Sequence, residues 1–161
     1  MIAWPVALAA AAMSFVGAGE PGWARFSRTS SVFRQNIQVN IGTLAYDRER
    51  RQLQYWMRRK ESGSPDLLWA DTVRCPQLRD TLGAMRYLGA EPGAPEAKRI
   101  ALFLDDATYT LDTPGQSGPS GMGTTHMTSG AGTALARWVE DALEAMQPCW
   151  SPTAPARSVD P

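Results

Sequence analysis

Two stretches of the chain alternate apolar and polar residues with a period of two. Ile37, Val39 and Ile41 alternate with Gln38, Asn40 and Gly42, and Leu53, Tyr55 and Met57 alternate with Gln52, Gln54 and Trp56. That period puts one set of side chains on each face of a half-buried strand. The polar run Asp47-Arg48-Glu49-Arg50 between them reads as a turn, so Asn36 to Arg59 is expected to form a β-hairpin. A second pair of strands is expected at Ile100 to Leu104 and Ala107 to Leu111, turning at Asp105-Asp106.

Elsewhere the period is helical. Leu78, Leu82, Met85 and Leu88 recur at i, i+4, i+7 and i+10 behind Cys75-Pro76, with Gly89 as the stop. Proline suits a first helical turn, and glycine suits the position just past a last one. A second helix is expected from Thr133 to Gln147, with Leu135, Val139, Ala142 and Met146 on one side, Trp138 flanking them and Pro148 ending it. The segments around these elements read as connections. They are a lead-in at residues 19–31, a Gly-rich loop at residues 113–132 and a disordered Pro/Ala/Ser tail at residues 151–161. The order ββαββα favours an α+β two-layer domain over residues 32–150, an antiparallel sheet of two hairpins with both helices on one face.

The first 18 residues change where such a domain is expected to live. Met1 to Gly19 carries no charged side chain, and Ile2 to Val16 is apolar apart from Pro5 and Ser14. A run of about 15 apolar residues matches a signal-peptide core and falls short of the roughly 20 needed to cross a bilayer. With small residues at Gly17 and Ala18, cleavage is expected after Ala18 and the protein is expected to be periplasmic or extracellular, with no membrane span remaining. The two cysteines, Cys75 and Cys149, then read as one disulfide, since oxidising compartments form and keep such bonds. Two cysteines and one distant histidine match no zinc spacing, and nothing in the chain implies a cofactor.

The 161 residues hold 16 basic and 16 acidic side chains, with 43% hydrophobic residues. A neutral, apolar-rich chain of this size excludes a disordered protein. The zero sum hides an asymmetry. From Arg25 to Lys60 nine cations face two anions, whereas from Glu61 onward seven cations face thirteen. The first hairpin therefore combines arginines with aromatic residues. Arg48, Arg50, Arg51, Trp56, Arg58 and Arg59 form a candidate face for an anionic envelope component or another protein. Export argues against nucleic acid. The structural explanation of the same charges is a solvated strand end that resists sheet-to-sheet association.

Catalytic signals are weaker. Ser117 and Ser120 lie in the Gly-rich loop with His126, the one histidine, and Asp105, Asp106 or Asp112 would have to orient it. Neither serine fits a nucleophile elbow, because Pro119 and Met122 stand where the closing glycine belongs. The leading expectation is thus a small exported, non-enzymatic binding protein, and the alternative is a small secreted serine hydrolase.

Overall fold

The structure, a computed structural model, describes residues 14–88, 107–116 and 122–157. Its strands are β1 (Ser14–Phe15), β2 (Ala24–Ser30), β3 (Gln35–Asp47), β4 (Gln52–Glu61), β5 (Leu67–Asp71), β6 (Ala107–Gln116), β7 (Met122–Ser129) and β8 (Ala156–Arg157). Helix α1 spans Leu78–Ala84 and continues as a single 3₁₀ turn through Tyr87, and α2 spans Ala134–Met146. Strands β2 to β7 form one antiparallel sheet in the order β5-β4-β3-β2-β6-β7, while β1 and β8 pair with each other. This is the α+β class with one disulfide. Cys75 and Cys149 are bonded, with their Cα atoms 6.1 Å apart.

Alternation explains which face each residue takes. Phe26 on β2, Val39 and Ile41 on β3, Met57 on β4 and Leu111 on β6 are all fully buried toward the helices. The helices return the same stripes the sequence carries: Leu78, Leu82 and Met85 from the first, and Leu135, Val139, Ala142 and Met146 from the second. Trp138 joins them, edge-on to Phe26 with centroids 5.2 Å apart, and its indole N–H donates to the Thr81 carbonyl across the helix pair. Thr133 caps α2 by accepting the Ala136 amide, a contact worth about 1 kcal/mol. The disulfide joins the approach to α1 to the exit from α2, as antiparallel helices on one sheet face require.

Among the described residues, the opposite face is covered only in part. There Leu44, Trp56 and Trp69 form a smaller cluster with Val16, and Ala154 packs against it. Leu44 takes this face by alternation with Gly42, and the β3–β4 register shift between Thr43 and Ala45 then turns Tyr46 to the helix side, opposite Leu53. A Cβ on Gly42 would collide with the Trp56 ring, so the residue opposite that indole has to be glycine. Residues 14–16 and 154–157 lie over this cluster. The Val16 amide donates to the Pro155 carbonyl, Ser14 and Phe15 pair with Arg157 and Ala156, and Glu20 is ion-paired with Arg157.

Several expectations need correction. Residues 19–31 are more than a lead-in, because β2 lies between β3 and β6 in the middle of the sheet. Four sheet strands, not two, therefore precede α1, since β5 was also missed. The Gly-rich stretch at residues 113–132 is largely strand: β6 continues to Gln116, and Met122–Ser129 pairs back along it. The second hairpin is thus β6–β7. The expected strand at residues 100–104, the Asp105-Asp106 turn and Gly89 lie outside the described residues. The tail at residues 151–157 is tied down by the Trp69–Ser151 bridge and by β8. Within the segment expected to be cleaved off, Ser14 and Phe15 pair with β8 and Val16 is buried.

Candidate functional site

The six basic-hairpin residues separate into two groups. Trp56 is wholly buried in the smaller cluster, so it is not a contact residue. Arg58 lies on the same sheet face, its guanidinium 5.7 Å from the ring centroids of both Trp56 and Trp69. It also donates to the Ala18 carbonyl, and burial pushes its pKa down from the usual arginine value. Arg59 points to the helix side. It is ion-paired with Glu61 at 2.7 Å and stacked over Trp150. Hydrogen bonds from Gln35 and Arg59 hold the Glu61 carboxyl below its ordinary value. Strand alternation sends Trp56 and Arg58 to one face and Arg59 to the other, so they never formed one surface.

Arg48, Arg50 and Arg51 remain exposed at the β3–β4 turn. Arg51 is in the left-handed region at φ 51°, a conformation that a tight turn demands. Asp47 organises the turn. Its carboxylate accepts the Arg50 amide at 2.9 Å and the Arg50 guanidinium at 3.1 Å, and the amide bond is the main reason its pKa is lowered. Just below the turn, Tyr46 and Leu53 face each other across the two strands and are 52% and 44% exposed. The tip therefore carries an exposed apolar cross-strand pair next to a turn with three exposed arginines.

Leu53 also opens onto a groove of about 610 Å³ on the helix side of the sheet. Trp23 and Tyr55, edge-on at 5.8 Å, form its floor with Met127, while Arg79, Gly83 and Arg86 come from α1 and the turn after it. Sequence reading did not anticipate this groove. Trp23 was assigned to a lead-in, and Thr113, Pro114 and Thr125 on its rim to a loop. The alternation at Ala24 and Phe26 was the available clue.

The hydrolase residues fare differently. Ser117, Ser120, Asp105 and Asp106 lie outside the described residues. His126 and Asp112 are cross-strand partners on β7 and β6, with Nδ1 2.5 Å from the Asp112 carboxylate. The other ring nitrogen, Nε2, lies 2.9 Å from the Thr128 hydroxyl, and Arg25 binds the second Asp112 oxygen at 2.8 Å. The His126 and Arg25 contacts hold the Asp112 carboxyl below its ordinary value. The order acid, imidazole, hydroxyl resembles a charge-relay set, but it lies on the outer sheet face with the His126 side chain 60% exposed. Among the described residues nothing covers this imidazole, and electrostatic catalysis draws its strength from the exclusion of water.

No helix among the described residues is long and apolar enough to cross a membrane. No family model, no curated protein and no solved structure matches this chain, so the geometry itself has to carry the functional argument.

Proposed function

We propose that the protein is an exported, non-enzymatic binding protein that meets an anionic partner through the tip of its first hairpin. The observation that carries this reading is the exposed Tyr46–Leu53 pair with exposed Arg48, Arg50 and Arg51 in the adjoining turn. Apolar contact area with arginine at its rim is the composition of a recognition surface, because guanidinium groups bind carboxylates or phosphates in a fixed geometry while the rings lose little entropy. The Cys75–Cys149 bond supports a periplasmic or extracellular setting, where the partner is an acidic envelope component or an acidic protein surface.

Charge reversal tests the reading. Arg48→Glu, Arg50→Glu and Arg51→Glu together should abolish retention on a sulfonated resin at low salt, whereas Arg58→Glu should chiefly lower stability. Retention of the triple variant equal to the parent removes the basis of the proposal. One observation favours a second reading. The Asp112–His126 contact is the half of a hydrolytic triad that orients the base, and the hydroxyl at Nε2 among the described residues is that of Thr128. Labelling by a fluorophosphonate that disappears in His126→Ala would favour hydrolysis over binding alone.

A further inference from the structure

We propose that the groove between α1 and the sheet is a binding site for an amphipathic carboxylate, a molecule with one carboxylate head and an apolar alkyl or aryl body. This site adjoins the hairpin tip and shares Leu53 with it, but its cations, Arg79 and Arg86, are not those of the tip.

The walls supply the apolar half. Trp23, Leu53, Tyr55 and Met127 line a space of about 610 Å³, within the roughly 300–1,000 Å³ range of small-ligand sites. Trp23 and Leu53 are 37% and 44% exposed, an apolar surface that a ligand body would remove from water. The two arginines supply the charge. Arg79 and Arg86 stand seven positions apart, so they share one side of the helix and its continuation, about 10 Å from each other along the axis. Among the described residues neither side chain meets a hydrogen-bond or ion-pair partner, and no carboxylate is among the described lining residues. The Arg79 Nε is moreover buried with no acceptor. Buried donors are nearly always satisfied, and a carboxylate can accept this Nε–H together with a second N–H of the same guanidinium. Arg79 holds the head, and the exposed Arg86 raises the local concentration of anions at the entrance.

Specificity follows from the same layout. A cation of equal chain length meets two unpaired arginines with nothing to offset them. A small polar anion leaves the aromatic floor uncovered.

Gly83 provides an unusually clean test. It lines the groove from α1, and a Cβ built on it meets no atom within 4 Å. Gly83→Leu should therefore fill the groove without displacing a neighbour, and it should favour the helix, because glycine is a poor helix former. The probe is sodium laurate below its micellar concentration, titrated calorimetrically into the full chain, with dodecyltrimethylammonium as the cationic control. Saturable one-to-one binding of laurate, at least tenfold weaker in Arg79→Gln and lost in Gly83→Leu, supports the site. Absence of laurate binding in the parent overturns it. Unchanged affinity in either variant, or equal affinity for the cationic control, does so as well. The hairpin-tip triple variant should bind laurate like the parent. A failure here with tip-dependent resin retention intact would sink the groove and leave the hairpin reading standing.

Discussion

The two faces of the sheet are built by opposite strategies. The helix-covered face is apolar through its centre, and among the described residues twenty buried residues of sheet and helices make one continuous cluster there. The outer face is apolar only over β3, β4 and β5, where Leu44, Trp56 and Trp69 lie under residues 14–16 and 154–157. Over β2, β6 and β7 it carries Arg25, Ser27, Thr110, Asp112, His126 and Thr128, joined by hydrogen bonds such as Ser27–Thr110 at 2.7 Å. The lesson is that coverage, not strand identity, decides composition. One strand can be greasy on both faces at one end of a sheet, and another polar on one face at the other end.

The largest expected effect breaks the helix-covered face. Phe26→Ala should lower stability by about 3–5 kcal/mol, because a fully buried ring packed on Trp138 leaves a cavity that both layers of the fold must share. Urea unfolding monitored by circular dichroism would show the change as a shift in midpoint. A loss below about 1 kcal/mol would mean that the two layers pack far more loosely than described.

A smaller effect is expected where residues 14–16 and 154–157 do the covering. Val16→Ala removes two methyl groups from a 3%-exposed side chain and should cost about 1–2 kcal/mol, at roughly 0.8 kcal/mol per buried methylene. The same measurement bears on the N-terminus. If the mature protein begins at Gly19, Val16 substitutions leave its stability untouched, and Trp56 and Trp69 emit as solvent-exposed indoles. N-terminal sequencing of the exported protein, read beside its tryptophan emission, distinguishes the two states.

The polar part of the outer face should give the smallest change and the clearest dependence on pH. Asp112 titrates below its ordinary value in the fold, first because His126 hydrogen-bonds to it and then because Arg25 does. A depressed carboxyl contributes stability above its unfolded pKa, and that contribution is lost as pH falls through the folded value. Asp112→Asn should therefore cost under about 1 kcal/mol at neutral pH, since exposed pairs contribute little, and should flatten the acid limb of the stability profile. An acid limb identical to the parent's would show that the pair is energetically idle.

Much of the fold was legible in advance. The first hairpin, both helical stripes and the cysteine pairing come from periodicities and counts that one strong environment enforces, the helix-covered core. β2 was missed because Arg25, Ser27, Arg28 and Thr29 dilute its two core residues, Ala24 and Phe26. β7 was missed because glycines precede its Thr-rich sequence and only Met127 packs against the core. Past Asp112, β6 no longer borders β2, which is why Pro114 is tolerated in what looked like a loop. At the candidate site, the exposed arginines of the tip were legible as charge. The burial of Trp56 and Arg58 was not.

The amino-acid pattern by itself determined the α+β class, the hairpin, the helix faces and the disulfide. Each is a local period or a pairing of scarce residues, written into neighbouring positions along the chain. Only the tertiary structure decided which cations remain in solvent, where residues 14–16 and 154–157 lie and that a groove opens beneath α1. Those outcomes depend on residues far apart in sequence, such as Trp23, Tyr55 and Arg79, arriving side by side. No local period records which neighbour a strand's second face will meet.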